Sequence, residues 1–322
     1  MIQNNKLRVI DVNILFLAGS ILFFTLGFYA QTREIFTGLL ITQLAVVLLP
    51  AVVIMEVKKM DIKATLQLHP LSFKQIILTV LITLFMYPSA VFANLIIMNI
   101  LSQFGQVNIP QIPAATSFFE YIRLVAIVAL VAGVCEEVLF RGVILKGYER
   151  LGNFKAVLIT SVLFGIFHYN IYNLLGPIVL GLVFGSLVVV TKSLWAGIIG
   201  HVVNNFLAIS IGYFFFLMED YIPSDEMEIA EVTIQESLFA SLIFFGVLAL
   251  AGLMISIFLW KRLKTISDLP VEKDLLKNEK DDGNQEALDK KVSIMEYIPL
   301  TGAIPLFIYI IVWQITSVLA SA

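Results

Sequence analysis

VCEEVLFRGV, residues 134–143, sets two adjacent glutamates and an arginine inside a run that otherwise reads as a membrane helix. The rest of the chain supports that reading. Of its 322 residues 59% are hydrophobic and only 14% charged, and the mean hydropathy is +0.93. A soluble domain carries about 25% charged residues, so this composition excludes one and describes a polytopic membrane protein. The formal net charge of −3 says little about partners, because the charges lie in the loops, and no nucleic-acid partner is expected. Cys135 is the single cysteine, so no internal disulfide can form. Lys6 and Arg8 precede an apolar run too long for a signal-peptide core, which reads as a retained first span.

Nine apolar segments follow, at 12–30, 35–56, 74–101, 121–145, 156–172, 174–190, 194–217, 238–260 and 296–319. The expected fold class is therefore all-α, a transmembrane helix bundle of eight to nine spans with its core in spans four to seven. The fifth and sixth segments are short, which allows re-entry or strong tilt near Asn170–Asn173. Pro88 and Pro177 are expected to kink their helices. With the N-terminus in the cytoplasm, 18 of the 21 Lys and Arg residues fall in the tail or in inner loops. The outer loop 218–237 holds seven acids and no base, while 261–292 balances eight bases against eight acids and reads as a solvated linker.

Glu136, Glu137 and Arg141 are charges deep within a span, where each costs at least ~2.5–3.5 kcal/mol and must face protein or water. Glu137 and Arg141 are four apart, on one helix face, and can pair. Glu136 is five from Arg141, about 140° round the helix, and is left unneutralised. One glutamate is thus structural and one available.

Histidine supplies what an available carboxylate could serve. His69 lies in a loop and reads as a surface residue, whereas His168 and His201 lie within spans. Counting about 1.5 Å per residue from the inner edges puts Glu136, His168 and His201 in one layer near mid-membrane. Asn205 shares the face of His201, with Asn204 as a competitor, and Phe164 lies one turn before His168. Gly181 and Gly185 form a GxxxG, and Gly197 and Gly200 flank His201, so close helix approach is expected.

A carboxylate, two imidazoles and an amide can direct water at a carbonyl. In one version Glu136 is the general base, working with His168 on water while His201 and Asn205 donate to the oxyanion. In the other, Glu136, His168 and His201 ligate a divalent metal such as zinc. The residues satisfy both. HExxH is absent, and a Ser186–His201 dyad would leave Glu136 and His168 unexplained. A non-catalytic scaffold or immunity factor, or an ion-coupled transporter, would use parts of the same set.

Three motifs, Glu136-Glu137-Val138-Leu139-Phe140-Arg141, Phe164-Gly165-Ile166-Phe167-His168 and His201-Val202-Val203-Asn204-Asn205, follow one another in order. In them residues 120–210 resemble the CPBP family of CAAX proteases and bacteriocin-processing endopeptidases, also called Abi or Rce1-like type II CAAX prenyl endopeptidases. The resemblance implies an intramembrane endopeptidase acting on a membrane-associated peptide or protein. It implies that Glu136, His168, His201 and Asn205 are catalytic, supported by Glu137, Arg141 and Phe164. It favours Asn205 over Asn204, and it leaves the metal open. A bacterial plasma membrane is the expected location, with access through a lateral or cytosolic cleft. The chain is expected to divide into N-terminal spans (1–119), a catalytic core (120–217), an acidic outer loop with the eighth span (218–260), a charged cytosolic loop (261–295) and a C-terminal span (296–322). That last span reads as an appendage to the core.

Overall fold

The computed structural model describes residues 6–107, 115–219, 234–275 and 292–321. These residues form an all-helical bundle. We label its long helices α1 (Val9–Arg33), α2 (Ile35–Val57), α3 (Phe73–Ser102), α4 (118–151), α5 (Asn153–Ile166), α6 (Leu175–Thr191), α7 (Leu194–Glu219), α8 (Ile234–Leu275) and α9 (Leu300–Leu319). Seven of them, all but α4 and α5, are long and apolar enough to cross a membrane. Helix α4 is long but carries Glu136, Glu137 and Arg141. Helix α5 has 14 residues, about 21 Å, which is short of a hydrocarbon core of about 30 Å. The nine helices sit at the nine apolar segments read from the sequence.

Hydrogen bonds at the two ends show how the helices alternate. At one end Lys58 pairs with Asp11 at 2.7 Å, Arg150 pairs with Glu296, Ser193 Oγ donates to the His69 carbonyl at 2.5 Å, and Gln75 donates to Ser267 at 3.1 Å. At the other end Asn99 donates to the Leu238 carbonyl at 2.8 Å and Gln235 to that of Ser102 at 2.6 Å. The described parts of the basic connections expected on one side thus gather at one end. We refer to it as the basic end. His69 is exposed there, as expected.

Helix α4 is the axis of the bundle. Phe140, Ile144, Leu145 and Tyr148 are 0–2% exposed and pack against α1, α2, α5 and α7. Glycines set the close contacts. A Cβ on Gly181 would meet Ser161 Cα at 2.9 Å, and one on Gly185 would meet Val157 at 3.1 Å, so the GxxxG face of α6 seats directly on α5. Helix α8 packs along α3, with Gly252 abutting the backbone of Phe85.

Two expectations are corrected. Pro177 does not kink α6, because it occupies the first turn, where a missing N–H costs nothing. The segment expected to be a charged linker begins as helix, since α8 runs unbroken to Leu275; residues 276–291 and most of the acidic loop, 220–233, lie outside the described residues.

The final helix is not an appendage. Gln314 of α9, 9% exposed, accepts from Ile171 N at 2.8 Å and donates to Tyr169 O at 3.1 Å. Those two backbone groups belong to the irregular turn between α5 and α6, where Tyr169 adopts a φ of 48°. Non-helical backbone within a membrane bundle needs internal partners, and α9 supplies them. Asn94 of α3 holds the same turn from its other side, accepting from Gly176 N at 2.6 Å and donating to Asn173 at 2.8 Å.

Gly181→Val is expected to push α6 off the α5 backbone and lower stability by about 1–3 kcal/mol, read as a drop in Tm in detergent. A second outcome concerns Glu296. Partial burial pushes its carboxyl up, but the Arg150 hydrogen bond and charge, with the backbone N–H groups of Ser293 and Ile10, outweigh burial and hold it below its ordinary value. Its folded value is depressed, so its stabilisation is present above the unfolded value of 4.5 and is lost as pH falls through the folded one. Glu296→Gln should remove that part of the acid dependence of Tm.

Candidate active site

Helical spacing places Glu137 beside Arg141, and the two pair at 2.7 Å with side chains 0% and 1% exposed. Burying charge this deeply calls for partners on the remaining polar atoms, and these are only partly supplied, since Glu137 Oε2 has no hydrogen-bond partner. Arg141 also donates to the Gly181 carbonyl at 3.3 Å, and its guanidinium lies 4.5 Å over the Phe164 ring. Glu137 Oε1 has a second partner, His201 Nδ1 at 2.9 Å. This contact needs a bare backbone opposite: a Cβ on Gly197 would sit 2.6 Å from Glu137 Oε2.

These bonds set the imidazole of His201. Its Nδ1–H donates to the Glu137 carboxylate, which turns the Nε2 lone pair toward Glu136, where Nε2 stands 3.8 Å from Oε2. The ring is held flat against Phe184, with centroids 5.3 Å apart. His168 follows the same rule with a different acceptor. Its Nδ1 lies 2.8 Å from the Phe164 carbonyl four residues back, so Nδ1–H donates there and Nε2 is left free. The Phe164 ring meets His168 edge-on at 4.9 Å and His201 at 5.8 Å, and so walls the site as its spacing implied.

Glu136 is the odd carboxylate. It has no arginine partner and is partly exposed, at 15%. Its Oε1 accepts a hydrogen bond of 2.8 Å from Gln43 Nε2 of α2. The asparagines form a chain: Asn204 donates to Asn205 Oδ1 at 3.0 Å, and Asn205 donates to the Val128 carbonyl at 2.8 Å. Asn205 keeps one N–H uncommitted in that arrangement. Gln43, Glu136, Phe164, His168, His201 and Asn205 line one cavity of ≈620 Å³, within the range of small-ligand sites.

Glu136, His168, His201, Asn205 and Phe164 are therefore brought together. Two imidazole Nε2 atoms and a carboxylate are suitable zinc donors. Yet among the described residues no three His, Cys, Asp or Glu side chains gather closely enough to hold a metal. The expected ligand set of Glu136, His168 and His201 is thus not assembled: Glu136 and His201 approach one another, but no third such group closes the set.

Sequence reading missed two features. The core was expected in spans four to seven, but α2 and α3 also wall the cavity, and Gln43 reaches the carboxylate from α2. The available signal was a lone glutamine in the apolar run ITQLAVVLLP, residues 41–50. Glu137 also does more than pair with Arg141, since it orients His201; nothing in a spacing of 64 residues announces that.

Arg141→Leu should leave Glu137 buried without its cation and cost about 3–5 kcal/mol, read as lost folded yield and Tm. Glu136→Gln should leave both unchanged. Equal damage from the two would mean that the roles of the glutamates are reversed.

Residues 118–207 match the family model described as Type II CAAX prenyl endopeptidase Rce1-like. A segment of 94 residues is 35% identical to "Putative membrane peptidase YdiL" of Bacillus subtilis (strain 168). That match covers 29% of this chain and 38% of the relative. No solved structure matches the chain. The helices that carry Glu136, His168, His201 and Asn205 thus lie within the segment, residues 118–207, that is similar to the Rce1-like type II CAAX prenyl endopeptidase family.

Proposed function

We propose that this protein is an intramembrane endopeptidase of the bacterial plasma membrane, N-terminus inside, that hydrolyses a peptide bond of a membrane-associated peptide or protein. One observation carries the reading: an unpaired carboxylate and two imidazoles with free Nε2 atoms share a cavity large enough for a peptide segment. The matched family and the name of the Bacillus relative point the same way. A prenylated substrate does not follow from either.

In this mechanism Glu136 takes a proton from water while the water oxygen bonds to the scissile carbonyl carbon. His168 Nε2 accepts the second water hydrogen and aims the attack. The oxyanion accepts the uncommitted N–H of Asn205. The proton then passes to the amine nitrogen as the C–N bond breaks. His201 Nε2, 3.8 Å from Glu136 Oε2 and held in place by Glu137 on Nδ1, is positioned to share the proton in transit. The residues expected from sequence to donate to the oxyanion were His201 and Asn205. With Nδ1–H committed to Glu137, neutral His201 offers an acceptor instead.

Membrane peptides from cells expressing wild type and Glu136→Gln should differ in cleavage products, with the variant chain folded and uncut substrate accumulating. An unchanged peptide profile, with the cellular phenotype intact, would favour a non-catalytic scaffold. Gln43→Leu should lower turnover roughly tenfold, the worth of a hydrogen bond to a charged group, without loss of the folded chain.

A further inference from the structure

The cavity runs in one direction only. On α2 its wall is Ile35, Leu39 and Gln43, each four residues from the next and so on a single face. On α4 it is Leu124, Val128 and Ala132, ending at Glu136 by the same step. On α7 it begins at His201 and continues through Asn205 to Gly212. All three faces start at the reactive layer and lead away from the basic end defined by Lys58, Arg150 and Lys192. Ile35 and Gly212, at the far limit, are exposed. In the opposite direction the site is sealed: Glu137, Arg141, Phe140, Ile144, Leu145 and Tyr148 are all 0–2% exposed.

We infer that the substrate reaches Glu136 from the extracytoplasmic side, as an uncharged polypeptide segment descending between α2, α4 and α7. This deepens the proposed endopeptidase reading and rests on it for the identity of the ligand. The side follows from charge. Lys and Arg concentrate at the sealed end, and basic loops stay in the cytoplasm. An open end facing outward replaces the lateral or cytosolic cleft expected from sequence. The class of ligand follows from the wall. Apart from Glu136 and the two histidines, its polar side chains are carboxamides and tyrosines, including Gln31, Asn94 and Asn173, with no Lys, Arg or Asp among them. Carboxamides both donate and accept, which matches a peptide main chain; a phosphate or anionic headgroup would call for cations.

The experiment is thiol labelling of intact cells with a membrane-impermeant maleimide. The unmodified chain is the blank, because Cys135 is buried. Ile35→Cys, Leu39→Cys and Gly212→Cys should label before permeabilisation; a side chain at Gly212 meets nothing within 4 Å. Lys63→Cys and Lys192→Cys, exposed at the basic end, should label only after it. The reverse pattern would overturn the proposal, as would labelling at Ile35→Cys with Leu39→Cys refractory from both sides. Should Leu39→Cys fail to accumulate, Ile127→Cys reports from α4. Labelling does not depend on turnover. The expected pattern with an unchanged Glu136→Gln peptide profile would sink the protease reading and leave the entry route standing, whereas altered products with inside-only labelling would do the opposite.

Discussion

Glu137 and Arg141 lie one helical turn apart where almost no water reaches them, and the rest of the site is built on that pair. Charges buried in such surroundings demand partners, although Glu137 Oε2 is left without one. The Gly181 carbonyl and the Phe164 face therefore attend the guanidinium, and His201 Nδ1 attends the carboxylate. These contacts join α4 to α5, α6 and α7. They also decide which nitrogen of His201 faces the cavity. Stability and site geometry are here one network, so a change to Glu137 or Arg141 reaches the imidazole as directly as it reaches the fold. Gly197 belongs to the same network through the space it leaves for the carboxylate.

The second constraint is a break in helical backbone. Helix α5 stops after 14 residues, and His168 sits just beyond its end. A turn at that depth leaves peptide groups without helical partners, and hydrocarbon offers none. Gln314 and Asn94 supply them from α9 and α3. Gln43 does a comparable service for Glu136 from α2. The matched segment, residues 118–207, holds the ionisable groups, while single amides from helices outside it hold them in place. Helices on either side of that segment are thus part of the site's construction.

Much of this was legible in the chain because it is local. The opposite roles of Glu136 and Glu137 follow from 100° per residue and the position of Arg141. The common layer of Glu136, His168 and His201 follows from helical rise counted from the ends. The grouping of loops at one end follows from where Lys and Arg fall. Pro177 was misjudged, since a proline's effect depends on whether it lies in the first turn or beyond it, and the start of α6 is set by the turn before it. The last helix was misjudged because Gln314 is one polar residue in an apolar run, and its partners are 143 and 145 residues away.

Sequence by itself determined a helical membrane bundle, the pairing of Glu137 with Arg141, and the residues that share the middle layer, because hydropathy, periodicity and loop charge are written along single helices. Tertiary structure alone decided that Glu137 also orients His201, that Gln43 reaches Glu136, and toward which end the cavity opens. Those outcomes depend on how faces of separate helices meet, and packing between distant segments leaves no periodic trace in the chain.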